Sequence, residues 1–258
     1  MKHLCKTILF ALLLMTVGGS VCAATKPAFT LVLDAGHGGK DPGALGKYGK
    51  EKNINLAVAL AVGRLVEQNL KDVSVVYTRK TDVFIELDER AHIANKAKAD
   101  LFVSIHTNAL AGTRPKQLAG AETYTLGMHR AADNLAVAKR ENSVISLEAD
   151  YENRYEGFDP KSAESYIIFE FMQDRNMEKS VKMAQLVQQQ FRTGGRPDKG
   201  VHQAGFLVLR ATSMPSCLIE LGYITTASEE TYLTSDRGVT QMADAIYRAI
   251  KKYKETQK

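Results

Sequence analysis

Apolar and polar positions along this chain follow two periods, and the switches between them lay out its architecture. Short runs rich in Val, Leu, Ile and Phe predict strands at residues 29–35, 73–78, 101–106, 121–126, 206–209 and 216–221. Between them the spacing becomes helical. Ile54, Leu56, Ala57, Leu60, Ala61 and Leu65 place a helix after Glu51 that ends near Asn69, and Ala91, Ile93, Ala94 and Ala97 place another over 88–99. Met177, Val181, Ala184, Val187 and Phe191 draw a third apolar stripe, stopped by Gly194, Gly195 and Pro197; Met242, Ile246, Ala249 and Tyr253 draw a last one. Strands alternating with helices predict an α/β fold: a mainly parallel sheet of about six strands with helices on both faces. Residues 127–165 interrupt the alternation. Polar and weakly periodic, they read as a surface insertion, with a partial helical stripe over 133–148 and a loop over 151–160.

The ends add constraints. Basic residues Lys2 and Lys6 precede an apolar stretch, 7–17, of signal-peptide length, and Val21-Cys22-Ala23 offers small residues for cleavage after Ala23. A lipid on Cys22 is the rival reading, for which Val21 and Gly19 are poor neighbours. The expectation is an exported protein, periplasmic or extracellular, with a leader over 1–23 and one domain over 24–258. Losing the leader removes Lys2 and Lys6 and lowers the formal net charge of +5 by two. That mild excess carries no nucleic-acid signature. Cys217 would then be the lone cysteine, so no internal disulfide forms, and its apolar run makes it a core residue. No second stretch is long enough to anchor the mature chain in a membrane, and no repeat or linker marks another module, so a monomer is expected.

Candidate chemistry lies where the strands end. His37 and His106 each close an apolar run, and in open α/β sheets functional groups gather beyond the carboxyl ends of strands. Two such histidines suggest a metal site, and Glu51, which opens a helix after the glycine-rich turn 36–49, is the best third candidate. A hydrolytic zinc site uses three protein ligands with water in the fourth position and lowers the pKa of that water to about 7. Glu220 sits within an apolar run, where an unpaired charge is costly. It reads equally well as the base that accepts the water's proton and as a buried carboxylate paired with an arginine such as Arg210. Asn108 either hydrogen-bonds substrate or closes a turn. His92, His129 and His202 lack strand-end placement and read as surface or locally bonded residues.

Residues 34–44 (DAGHGGKDPGA), Glu51-Lys52-Asn53-Ile54-Asn55-Leu56, Thr78-Arg79, Glu89-Arg90, Ser104-Ile105-His106-Thr107-Asn108-Ala109 and Ile219-Glu220-Leu221-Gly222-Tyr223 resemble the zinc-dependent N-acetylmuramoyl-L-alanine amidases. The resemblance runs from about Phe29 to the C-terminal helix; Ala35 and His92 depart from the common pattern, which often has Pro and Arg there. It implies one Zn²⁺ held by His37, Glu51 and His106, Glu220 as catalytic carboxylate, and peptidoglycan as substrate, cut between N-acetylmuramic acid and L-alanine. Some members carry an inserted helix that covers the zinc until a protein activator removes it. Glu141 and Glu148 are the acidic residues available for such an autoinhibitory plug here; a plain groove wall is the alternative. Two rivals complete the expectations. A zinc exopeptidase would need further amine-recognising residues at a strand end, and a non-catalytic wall-binding protein would be expected to lack one of the four site residues.

Overall fold

The computed structural model describes residues 28–110, 118–129, 131–171 and 175–257, so the leader expected over 1–23 lies outside the described residues. Six strands form one sheet: β1 (Phe29–Ala35), β2 (Val73–Tyr77), β3 (Leu101–Asn108), β4 (Ala121–Leu126), β5 (Asp198–Ala204) and β6 (Ser216–Tyr223), in the order β2-β1-β3-β6-β4-β5. All neighbours run parallel except β4 and β6, which pair antiparallel. The expectation of a mainly parallel six-stranded α/β sheet is met, with one strand differently placed. Residues 206–209 are not a strand: Leu207–Arg210 is a short buried helix, and the sixth strand is β5, at the edge beside β4.

Period-two alternation sorts the strand side chains onto two unlike faces. One face carries Leu31, Leu33, Val103, Ile105, Cys217, Ile219 and Leu221, and packs against helix α1 (Glu51–Asn69) and the helices Met177–Thr193 and Asp236–Glu255. Cys217 is fully buried there, and burial pushes its thiol up to about 12. The opposite face carries Val32, Phe102, Tyr124, Leu126 and Leu218 under helix α2 (Leu87–Lys96) and the segment from helix α3 (Ala132–Asn142) to Ile167. The part of that segment up to residue 165 was expected on the surface, but it closes this core: Val137, Ala138, Val144, Ile145, Tyr155 and Phe158 are all buried, as is Tyr166 just beyond. The residues expected as a loop also contain one helical turn, Tyr151–Arg154. Among the described residues no helix is long and apolar enough to cross a membrane.

Candidate metal centre

On the second face, alternation also places Asp34, Ser104, His106, Glu220 and Glu122, and the strand register aligns them. Asp34 stands opposite Ser104, His106 opposite Glu220, and Glu220 opposite Glu122. The polar row lies at the β1 and β3 strand ends and needs chemistry or partners. Asp34 has partners: it accepts from Thr78 Oγ1 at 2.7 Å and Ser104 Oγ at 2.6 Å and pairs with buried Arg90 at 2.8 Å. Arg90 in turn donates to the carbonyls of Ala35 and His37, and Arg79 to those of Ala35 and Gly36, which fixes the loop leaving β1.

That loop turns sharply. His37 adopts φ 61° and is followed by Gly38 and Gly39, also at positive φ, which swings the imidazole back over the sheet. Gly36 is required by contact, because a Cβ there would stand 2.3 Å from the His106 ring. A Cβ at Gly43 would stand 2.7 Å from Glu51 Oε2. Glu51 enters from the first turn of α1, fully buried. Its carboxylate accepts from the backbone N–H of Ala44 at 2.7 Å and of Thr107 at 2.8 Å and from Asn55 Nδ2 at 3.2 Å.

His37, Glu51 and His106 therefore meet, and Glu141 of α3 joins them; one ligand atom from each lies within 4.8 Å of the others. Four approaches define the cluster: His37 Nε2 to Glu51 Oε1 3.1 Å and to Glu141 Oε2 3.0 Å, and His106 Nδ1 to Glu51 Oε1 3.3 Å and to Glu141 Oε2 2.9 Å. Donor atoms 2.0–2.1 Å from a tetrahedral zinc stand about 3.3 Å apart. His37 Nε2, His106 Nδ1 and Glu141 Oε2 are buried without a hydrogen-bonding partner despite these short approaches. Buried polar atoms are rarely left so. Atoms aimed at a common point and not at one another fit a shared cation, and two imidazoles with carboxylates are a donor set zinc accepts. The other imidazole nitrogen of His37, Nδ1, meets Asp41 Oδ2 at 2.6 Å, the outer-sphere carboxylate typical of metal-bound histidine.

Electrostatics point the same way. Burial opposes protonation of both imidazoles, yet the Glu51 charge and contacts with Asp41 and Glu141 hold His37 well above its ordinary value, and Glu141 pushes His106 up to about 9. The carboxylates make the cluster a place for positive charge. Glu220 differs: burial, reinforced by the Glu141 charge and opposed by Arg140, raises its carboxyl well above the usual range.

Two of the expected assignments change on the structure. Glu148 is not in the cluster; it accepts from the Leu87 N–H at 2.9 Å and from Tyr155 Oη at 2.7 Å, and so ties the insertion to the start of α2. Arg210 is not the partner of Glu220; it lies over the Tyr155 ring, and Arg140 Nη2 meets Glu220 Oε1 at 3.3 Å. His92 is exposed and His129 and His202 half-buried, outside the cluster. Asp41, Arg140 and Glu122 are the site residues that the linear pattern did not reveal. The one signal for Asp41 is its four-residue spacing from His37.

This zinc-compatible cluster at parallel strand ends places the chain in a known class. The N-acetylmuramoyl-L-alanine amidase family model matches residues 31–252, and the chain belongs to that family. Among its relatives, the amidase AmiA of Escherichia coli K12 is 33% identical over 227 residues, covering 86% of this chain and 75% of AmiA. AmiC of a second Escherichia coli strain is 33% identical over 230 residues, and there the chain spans about half of the relative, 52%. An N-acetylmuramoyl-L-alanine amidase from Clostridium difficile superposes with a TM-score of 0.66 at 28% identity, covering 90% of this chain and 100% of that one. The CwlV catalytic domain from Paenibacillus polymyxa gives 0.63 at 30% identity, covering 88% and 98%.

Proposed function

We propose that this protein is an exported zinc amidase that hydrolyses the amide joining N-acetylmuramic acid to L-alanine of the peptidoglycan stem, held shut in this conformation by its own insertion. The observation that carries the reading is the convergence of three unpartnered buried donor atoms beside a carboxyl, Glu220, whose Oε2 is also unpartnered. His37, Glu51 and His106 would hold the ion. The chemistry a bound zinc supplies is Lewis acidity toward the scissile carbonyl and acidification of water. Glu220 takes the proton of the attacking water and returns it to the leaving nitrogen, a task suited to a carboxyl whose proton affinity burial has raised. Asp41 holds the His37 ring in the tautomer that presents Nε2.

Glu141 occupies the position a fourth donor would take, and its neighbour Arg140 occupies Glu220. Together they block both the metal and the base. This supports the autoinhibitory plug over the groove wall, with Glu141 and not Glu148 as its acid. Activity then requires the segment around α3 to move, the step a protein activator would drive. We further propose that residues 1–23 are a cleaved leader and that 24–258 act as one monomeric catalytic domain in the periplasm or outside the cell.

Glu220→Gln tests the catalytic assignment. It should abolish peptidoglycan hydrolysis and leave zinc stoichiometry unchanged; retained hydrolysis would remove Glu220 from the chemistry.

A further inference from the structure

The contacts of Arg140 show more than a block. Its Nη1 donates to Asn108 Oδ1 at 2.8 Å and to the Ala109 carbonyl at 2.9 Å, and Nη2 reaches Glu220 Oε1 at 3.3 Å. The wall it faces thus offers three acceptors. Asn108 could present either end of its amide, and the surroundings settle which. Its Nδ2 donates to Glu122, whose Oε1 also accepts from Tyr223 Oη at 3.0 Å. With the nitrogen committed to a buried carboxylate, the oxygen must face the site. Glu122 is itself held beside the reacting centre, because it pairs with Glu220 in the β4–β6 register.

A wall of acceptors is built for a donor ligand: without Arg140 the Ala109 carbonyl and Glu220 Oε1 lose this partner, and Asn108 Oδ1, which also accepts from the Ala109 N–H at 2.7 Å, keeps a second lone pair to offer. The stem peptide carries such donors. Its leaving nitrogen must lie at Glu220 to take up a proton, and the next backbone N–H follows within one residue's reach, at most roughly 3.3–3.6 Å. One guanidinium spans all three acceptors, and two consecutive peptide N–H groups reach the same wall when the chain bends at the first stem residue, since in an extended chain they point to opposite sides.

We propose that Asn108 Oδ1 and the Ala109 carbonyl form the subsite for the backbone N–H of the second stem residue, with Glu122 as the positioning residue that keeps Asn108 in its accepting orientation. Arg140 occupies this subsite in the closed conformation as a mimic of the peptide. The assignment rests on the amidase reading for the identity of the peptide, and the test separates the two.

The test uses the mature chain, zinc-loaded, carrying Arg140→Ala and Glu141→Ala to clear the wall. Binding of a synthetic peptide beginning with L-alanine is measured by titration calorimetry, alongside the same peptide N-methylated on the nitrogen of its second residue. N-methylation should weaken binding about tenfold, as expected for one lost hydrogen bond. Asn108→Ala in the same background should weaken the unmodified peptide similarly, and the two changes combined should cost little more than either alone. The N-methyl comparison alters only the ligand, so it stands even if the Asn108 variant is poorly folded. Equal affinity for the two peptides, fully additive losses, or no peptide binding would overturn the subsite. Peptidoglycan hydrolysis by the Arg140→Ala, Glu141→Ala protein is scored separately, and its failure would count against the amidase reading while leaving the binding result intact.

Discussion

Glu141→Gln is the perturbation that separates a plug from a structural wall. Gln keeps the shape of the side chain and removes the charge that Oε2 presents to His37 at 3.0 Å and His106 at 2.9 Å, while Arg140 keeps only a neutral amide oxygen in place of the Glu141 Oε1 it meets at 2.7 Å. A charge-assisted hydrogen bond such as the Arg140–Glu141 pair contributes about 1.5–3 kcal/mol, of which the amide retains part, and the cluster also loses the carboxylate set between its two imidazoles. A net loss of about 3 kcal/mol from the closed state is therefore a reasonable magnitude. At 1.4 kcal/mol per tenfold, the open population and the hydrolysis rate rise roughly 100-fold as long as the open form stays in the minority. The assay is release of soluble fragments from labelled peptidoglycan by zinc-loaded protein, with zinc content measured on the same samples. A rate within twofold of the wild type at equal zinc content would refute the plug.

Three further outcomes follow from the same geometry. Asp41→Ala should weaken zinc binding 10–100-fold in a chelator competition, because the His37 ring loses the carboxylate that orients it; unchanged affinity would remove that role. Asp34 is buried, which raises its pKa, but Arg90 and the Ser104 and Thr78 hydroxyls outweigh burial and hold it below its ordinary value. A depressed carboxyl stabilises the fold fully above its unfolded pKa of about 3.9 and loses that contribution as pH falls through the folded value. Urea melts between pH 3 and 7 should show stability declining below about pH 4, and Asp34→Asn should cost about 3–5 kcal/mol at neutral pH by leaving Arg90 buried and unpaired. Excising residues 133–160 should yield aggregated protein in place of an unplugged enzyme, since it removes Val144, Ile145, Tyr155 and Phe158 from the core that covers Phe102 and Leu126; a monodisperse, cooperatively melting product would contradict this.

How far the sequence carried the fold can be judged strand by strand. The strands over Phe29–Ala35, Leu101–Asn108 and Ser216–Tyr223 are buried throughout or nearly so, and their continuous apolar runs announced them. β5 was silent because an edge strand is half-solvated, and Asp198–Ala204 holds one apolar branched residue, Val201. Phe206, Leu207, Val208 and Leu209 misled for the opposite reason: burial on all sides gives a helical turn the same apolar run as a strand. The insertion looked superficial because its aromatic anchors, Tyr155 and Phe158, are spread among charges without a period. In the site, strand-end position marked His37 and His106, a charge within an apolar run marked Glu220, and helix-start position marked Glu51. Arg140, Asn108 and Glu122 act together only after α3 folds across the sheet, a long-range event with no local signature.

The central claim, zinc-dependent cleavage at the lactyl–alanine amide, is tested most directly by mass spectrometry of the soluble products from purified peptidoglycan and the Glu141→Gln protein, with and without a chelator. The account predicts free stem peptides beginning with alanine, lost on chelation and restored by Zn²⁺. Intact peptidoglycan under all conditions, or products cleaved within the peptide or the glycan, would contradict it.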